Sequence, residues 1–231
     1  MEKLALEYCY KNPILHMDII VPIERGSAEI IYAKSDGVVI RETKSGAYLF
    51  ALDGYDKSIE IFESLPKCHL YSVKDKNLAN YIMSKTSLVD LMEATQFANI
   101  EKKKLESGNK LTIKVLDEKY LDFILEHYKG VSDPNYIISR IADREVYGGF
   151  FEGELCGFIG FHAEGSMGIL YILPKFRGKG FATELQIFMN NLMIDMGFVP
   201  YGQVEISNNE SSGLQQKLGF TASKEFVYWI S

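Results

Sequence analysis

The chain has 231 residues, enough for one large domain or two small ones, and its apolar content of 47% is ordinary for a globular protein. The net charge of −6 argues against nucleic acid as the main partner, and no apolar run is long enough to predict a membrane span. Acidic residues near the N-terminus and the absence of a long apolar stretch there predict that no signal peptide is present.

Three cysteines, Cys9, Cys68 and Cys156, are scattered along the chain. An odd number of distant cysteines is typical of reduced thiols, so we expect a cytoplasmic protein without a disulfide framework. Buried packing is the more common role of a free cysteine, and we expect it for these three. No histidine and cysteine cluster has the spacing of a metal site, so we predict no metal.

The first half shows three strand-like runs at 29–33, 38–41 and 47–52, followed by further elements. The later elements are a helix over 57–64, a strand over 69–73 and a helix over 76–83. A polar, charged segment over 101–110 then predicts an inter-domain linker. We therefore predict an N-terminal α/β domain over 1–105 and a second domain over 106–231.

The second half begins with a short strand over 111–115 and two amphipathic helices over 117–128 and 135–142. The pattern then predicts three strands over 146–151, 155–162 and 167–173, a helix over 181–196, a strand over 201–206, a short helix over 210–218 and a closing strand or pair over 220–230. The fold class is α/β (α+β): a mixed, mostly antiparallel sheet flanked by helices. The first half has a similar order of predicted strands and helices, which fits either a degenerate internal repeat or an unrelated α/β cap.

The most informative segment is LPKFRGKGFAT, at 173–183, where a strand ends and an amphipathic helix begins. Its two glycines, Gly178 and Gly180, permit backbone angles and a close approach that a side chain would block. Main-chain N–H groups at such a helix N-terminus bind anions, and Lys175, Arg177 and Lys179 add local positive charge. The corresponding turn of the first half, at 53–56, carries two aspartates and would repel a pyrophosphate.

Three kinds of phosphate loop compete for this segment. A Walker A loop is excluded because Gly180 follows the Gly178-Lys179 pair where Ser or Thr is required. A dinucleotide fingerprint fits weakly, since Thr183 stands at its third glycine position and no ribose-binding acid follows. The third kind is R-x-x-G-x-A, which Arg177, Gly180 and Ala182 satisfy.

With this motif, and with Asn208 and the stretch LQQKLGF at 214–220 in the right order, the chain resembles the GNAT superfamily of acyl-CoA-dependent N-acyltransferases. The resemblance covers about residues 111–231. The stretches EGSMGILYILPKFRGKG and MGFVPYGQVEISNNESS resemble most closely the glycine N-acyltransferase-like branch, which also joins a poorly conserved N-terminal half to a working C-terminal half.

The resemblance implies that acetyl-CoA is the acyl donor and that a set of residues binds it. Main-chain N–H groups would hold the pyrophosphate, backbone of the preceding strand would pair with the pantetheine arm, and a later loop would contact the arm. The implied cofactor-binding residues are Tyr171, Ile172, Leu173, Arg177, Gly178, Lys179, Gly180, Phe181, Ala182, Thr183, Asn208 and Ser211.

Acyl transfer to an amine needs a base, and Glu164 is the first candidate, with His162 as the alternative. A gapless alignment with the resembled branch places its glutamate at Ser166 instead, so the identity of the base stays open. A main-chain N–H near Leu173 would polarise the thioester carbonyl.

Many members of the resembled superfamily carry a tyrosine, as proton donor to the leaving thiolate, where this chain has Gln215. Ser211, Tyr201 or water would substitute for it. Tyr201, Gln203 and Glu205 alternate along one strand face and would line the acceptor pocket.

The sequence therefore predicts an N-acetyltransferase that transfers acetyl to a small amine or amino acid, as a monomer or homodimer. A catalytically silent CoA-binding sensor or scaffold and a protein acetyltransferase acting on lysine or N-termini are the alternatives. We expect no nucleic acid and no membrane partner.

Overall fold

The structure is a computed structural model and describes residues 1–130 and 133–231. Its first part contains, in chain order, α1 (Glu2–Cys9), α2 (Met17–Glu24), β1 (Ala28–Lys34), β2 (Gly37–Glu42), β3 (Tyr48–Leu52), α3 (Tyr55–Ser64), β4 (Tyr71–Val73), α4 (Lys76–Lys85) and β5 (Leu91–Ala98). The predicted elements from β1 to α4 are confirmed within a few residues. The sequence reading did not foresee α1, α2 or β5.

The second part contains β6 (Thr112–Val115), a 3-10 turn (Glu118–Tyr120), α5 (Leu121–His127), α6 (Pro134–Ala142), β7 (Val146–Phe151), β8 (Glu154–Phe161), β9 (Met167–Ile172), a 3-10 turn (Pro174–Phe176), α7 (Phe181–Asp195), β10 (Tyr201–Glu205), α8 (Asn209–Lys217) and β11 (Thr221–Ile230). The predicted mixed α/β fold is confirmed. The succession from α1 to β5 consists of two helices, three strands, a helix, a strand, a helix and a strand. The same succession follows β6, from α5 to β11, as expected of an internal repeat.

The described residues divide into two compact units: a first unit of Met1–Ala98 with Gln203–Ser231, and a second unit of Asn99–Gly202. These units do not coincide with the predicted domains 1–105 and 106–231. The reason is that β11 lies between β4 and β5 in one sheet, whose strand order is β1-β2-β3-β4-β11-β5-β10. The prediction that the chain consists of two related halves, 1–105 and 106–231, stays a prediction.

The second unit is built on an antiparallel sheet with the order β6-β7-β8-β9. Its core cluster joins α5 and α6 to the sheet through side chains such as Ile124, Ile137 and Phe158. On α7, apolar residues recur every fourth position at Phe181, Leu185, Met189 and Met193, and all four are buried.

The predicted linker, 101–110, and the residue that follows it are hydrogen-bonded to side chains of α7. The side chain of Asn191 accepts from the Leu105 N–H (2.9 Å) and donates to the Leu105 carbonyl (2.8 Å), as a neighbouring strand would. Closer to the start of α7, Glu184 accepts from the Leu111 N–H at 2.8 Å. The segment from Asn99 to Leu111 is therefore part of the second unit.

Candidate functional site

The glycine segment after β9 leads directly into the N-terminus of α7, as the sequence predicts. Gly180 is the N-cap and no side chain caps the helix. Among residues 1–130 and 133–231, the structure shows no protein acceptor for a run of consecutive main-chain N–H groups at this end. These are the N–H groups of Gly178, Lys179, Gly180, Phe181, Ala182 and Thr183. Such a group of donors, with the positive end of the helix dipole, binds an anion.

Both glycines of the segment have left-handed backbone angles, with φ of +74° at Gly178 and +86° at Gly180. A methyl group at either position would meet no heavy atom within 4 Å. The glycines are thus required by their backbone angles, and the space in front of them is open to a ligand.

The three basic side chains of the segment have different partners. Lys175 pairs with Glu154, and the Arg177 Nε donates to the Ile172 carbonyl at 3.1 Å. Lys179 has its Nζ 5.3 Å from the ring centroid of Phe176. Only Lys179 is therefore placed without a hydrogen-bonding protein partner in the part of the chain that the structure describes, and it is exposed.

The β9 strand is an end strand of its sheet, so one side of its backbone faces away from β8. The Leu173 N–H donates to the Cys156 carbonyl at 2.9 Å, and antiparallel alternation directs the main chain of Tyr171 toward β8 as well. Ile172, between them, directs its N–H to the open edge, where its carbonyl accepts from the Arg177 Nε. Of the three residues predicted to pair with the pantetheine arm, Ile172 alone has this orientation.

A bulge interrupts β9, since the pairing with β8 shifts register between Phe158 and Gly160. Ile169 lies within it with φ of +51°, a left-handed angle that is unusual for a β-branched residue. Its side chain belongs to the apolar core, which holds it in this conformation. Backbone strain of this kind costs on the order of 1–3 kcal/mol and is concentrated at functional sites.

The residues from His162 to Ser166 form the tight hairpin that joins β8 to β9. The Gly165 N–H donates to the His162 carbonyl (2.9 Å), and the His162 N–H donates to the Ser166 carbonyl (2.9 Å). Gly165 has φ of +91°, as a three-residue hairpin loop requires at its last position. The carboxylate candidate Glu164 thus lies at the centre of a well-defined turn.

Glu164 is only 7% exposed, and its carboxylate accepts a hydrogen bond from the Ser166 hydroxyl. The two positions that compete for the base are therefore in direct contact. Glu164 also acts on nearby tyrosines. Burial and the charge of Glu164 together raise the pKa of Tyr128 to about 12 and raise that of Tyr136 further.

His162 is held between Tyr136 and Gly168. The Tyr136 hydroxyl lies 2.8 Å from the imidazole Nδ1, and the same hydroxyl accepts from the Ala163 N–H at 3.2 Å. Burial lowers the pKa of His162 to about 4, with the charge of Arg140 acting in the same direction. The imidazole is consequently neutral at physiological pH.

Tyr201, predicted to line the acceptor pocket, is fully buried, and its hydroxyl donates to the Glu164 carbonyl at 2.8 Å. The structure thus brings Tyr201 together with Glu164 and His162 in the second unit. The sequence analysis assigned no specific role to Tyr136 or to the Ser166 hydroxyl. A tyrosine beside a tight turn has no local sequence signal.

The remaining predicted residues belong to the first unit. Gln203 donates from Nε2 to Gln96 (2.8 Å) and accepts from Trp229 (2.5 Å), while Glu205 is exposed. Asn208 caps α8 by accepting from the Ser211 N–H at 3.0 Å. Their predicted roles in binding substrate or cofactor stay predictions.

The described residues contain no group of three or more His, Cys, Asp or Glu side chains that could hold a metal ion. No helix in these ranges combines the length and apolar character needed to cross a membrane.

A family model described as FR47-like protein matches residues 147–230. A solved structure of a Drosophila protein has a TM-score of 0.71 at 15% identity and covers 99% of this chain and 94% of its own. A putative acetyltransferase of the GNAT family from Novosphingobium aromaticivorans has a TM-score of 0.56 at 14% identity, over 94% and 95% of the two chains. A GCN5-related N-acetyltransferase-like protein from Streptococcus suis has a TM-score of 0.55 at 14% identity, over 97% and 98%. No curated protein is significantly similar.

The solved structures cover nearly the whole chain, including both of its parts. At such low identity they show the fold alone. The chain therefore has the fold of GNAT acetyltransferases. Its FR47-like segment contains the His162 to Ser166 hairpin and the glycine segment before α7.

Proposed function

We propose that this protein is an acyl-CoA-dependent N-acyltransferase that transfers acetyl from acetyl-CoA to the amine of a small molecule or amino acid. The observation that carries the proposal is the run of open main-chain N–H groups at residues 178–183, at the N-terminus of the 15-residue helix α7. A pyrophosphate matches these donors in charge and hydrogen-bonding capacity.

Two further features fit coenzyme A. The left-handed Gly178 and Gly180 leave open space where a bound anion would lie. The Ile172 N–H faces an unpaired strand edge and offers an extended ligand a main-chain donor, as a neighbouring strand would. Acetyl-CoA, when bound, supplies an acyl group activated as a thioester.

Glu164 is the better candidate for the base than His162. The His162 imidazole is a weak base, because burial lowers its pKa to about 4. Its Nδ1 also lies 2.8 Å from the Tyr136 hydroxyl, so this nitrogen is already engaged in a hydrogen bond. The Glu164 carboxylate would accept the proton that the attacking amine loses, directly or through water.

The proposed pyrophosphate-binding site at residues 178–183 is tested by a pair of glycine variants. Gly180 and Gly54 are both helix N-caps with a positive φ, and a methyl group would meet no heavy atom within 4 Å at either position. We expect Gly180→Ala and Gly54→Ala each to destabilise the protein by about 1–2 kcal/mol. Only Gly180→Ala should weaken acetyl-CoA binding, measured by calorimetry. Wild-type protein that binds no acetyl-CoA at high micromolar concentration would refute the proposal.

The base is tested by a matched pair of glutamates in hairpin turns. Glu42 is also buried, and its carboxylate accepts from the Ser45 hydroxyl at 2.7 Å. We expect Glu164→Gln to lower kcat by about 10²-fold or more with acetyl-CoA affinity retained. Glu42→Gln should leave kcat near that of the wild type. Turnover is followed as thiol release across a panel of small amines, with the protein's own thiols subtracted.

A catalytically silent CoA-binding protein is the second candidate, and Gln215 favours it. Its side chain is 5% exposed and its Oε1 has no hydrogen-bond partner among the described residues. An amide has no proton to give to a leaving thiolate under physiological conditions. Acetyl-CoA binding without thiol release from any amine of the panel would select this alternative.

A further inference from the structure

We infer that Tyr201 is a positioning residue that fixes the orientation of Glu164 by holding the main chain of its hairpin. The inference rests on the proposed function, in which Glu164 is the base. It changes the role expected for Tyr201 from the sequence, which was to line the acceptor pocket or donate a proton.

The contact is between a rigid donor and the central residue of the turn. Tyr201 is the first residue of β10 and is 0% exposed, so its ring is fixed by packing on every side. Its hydroxyl donates to the Glu164 carbonyl at 2.8 Å. A main-chain carbonyl held in this way fixes the peptide plane after Glu164 and thereby the direction in which its side chain leaves the backbone.

Two other contacts hold the same hairpin at neighbouring atoms. The Tyr136 hydroxyl accepts from the Ala163 N–H at 3.2 Å, and the Ser166 hydroxyl donates to the Glu164 carboxylate. The three contacts together fix the peptide that joins His162 to Ala163, the peptide after Glu164 and the carboxylate itself. Catalytic groups need support of this kind, because a displacement of about 1 Å can cost on the order of 10²-fold in rate.

The neighbouring Gly202 shows how β10 brings Tyr201 to this place. A methyl group at Gly202 would lie 2.9 Å from the Met167 carbonyl, at the start of β9. Only glycine permits this close approach of the two backbones. The Tyr201-Gly202 pair therefore places a hydroxyl against the hairpin that immediately precedes β9.

The test compares two buried tyrosines. Tyr71 is also 0% exposed, and its hydroxyl accepts from the Cys68 N–H at 3.0 Å. We expect Tyr201→Phe to lower kcat by about tenfold while KM for acetyl-CoA stays within about twofold. We expect Tyr71→Phe to change stability comparably and to leave kcat unchanged. Gly202→Ala, which should displace the same hydroxyl without removing it, is the second variant if Tyr201→Phe does not fold.

A double-mutant cycle separates positioning from a general loss of structure. If Tyr201 acts through Glu164, Tyr201→Phe should have less than about a twofold effect on kcat once Glu164→Gln is present. An equal fractional loss in both backgrounds would overturn the inference, as would wild-type kcat in Tyr201→Phe. Absence of thiol release by the wild-type protein would instead overturn the proposed function, and the inference with it.

Discussion

Gly168→Ala should disturb the candidate site through a single methyl group. Gly168 lies in β9 opposite Gly160 of β8, and the imidazole of His162 occupies the space that a side chain at 168 would need. A Cβ there would lie 2.3 Å from His162 Nε2 and 2.5 Å from its Cδ2. Carbon and nitrogen atoms do not approach so closely, so the imidazole must move.

The expected cost has two parts. Overpacking a well-filled region costs about 1–3 kcal/mol. An imidazole that moves away to relieve the clash also loses its 2.8 Å contact with the Tyr136 hydroxyl, worth about 1 kcal/mol. We therefore expect Gly168→Ala to lower the free energy of unfolding by about 2–4 kcal/mol.

The assay is urea unfolding followed by circular dichroism, on Gly168→Ala in the wild-type and His162→Ala backgrounds. Because the clashing atoms are absent in His162→Ala, the added methyl group should cost less than about 1 kcal/mol there. Gly213→Ala is a control of opposite sign: it lies within α8 with no atom near its Cβ position, and should stabilise by about 0.5–1 kcal/mol. A Gly168→Ala cost that is equal in both backgrounds would refute the role assigned to His162.

Three further outcomes are expected. Burial holds the pKa of His162 at about 4, below the 6.5 of an ordinary histidine, so on acidification the unfolded chain gains this proton before the folded protein does. The free energy of unfolding should therefore fall by up to about 1.4 kcal/mol per pH unit between pH 6.5 and pH 4. His162→Asn should remove this pH dependence in urea titrations. Asn191→Ala, which breaks both contacts with Leu105, should cost about 1–3 kcal/mol and speed tryptic cleavage at the lysines of 102–104, whereas unchanged cleavage would argue against the attachment of this segment to α7. Removal of residues 227–231 should leave a chain without a cooperative unfolding transition, because it deletes four buried apolar side chains worth about 6 kcal/mol or more from the strand between β4 and β5.

The local part of the site could be read from the sequence because its signals are local. Gly178 and Gly180 are separated by one residue and followed by an amphipathic run, which is sufficient to predict a strand, an anion-binding turn and a helix. The structure has a strand, a turn and a helix at these residues, and anion binding at the turn stays a prediction. The element order from β6 to β11 was predictable for the same reason, since each element carries its own periodicity and its own turn residues.

The contacts around Glu164 were not predictable, because they join residues distant along the chain. Tyr201 bonds a carbonyl 37 positions away, and Tyr136 lies 26 positions from His162. Neither tyrosine differs in sequence pattern from one that packs in a core. The polarity of the segment 101–110 predicts an inter-domain linker, but Asn191 of α7 accepts from the Leu105 N–H and donates to its carbonyl, which replaces hydrogen bonds to water.

The sequence by itself determined most of the elements from β1 onward and the residue at which α7 begins, because these depend on periodicity, glycine angles and neighbouring residues. The tertiary structure decided that β11 completes the sheet of the first unit and that Tyr201 and Tyr136 hold the Glu164 hairpin. Pairing partners and buried hydrogen bonds are chosen by the packing of the whole chain. The main-chain groups of a strand such as β11 could pair with several other strands, and only the packing of the assembled sheet selects β4 and β5.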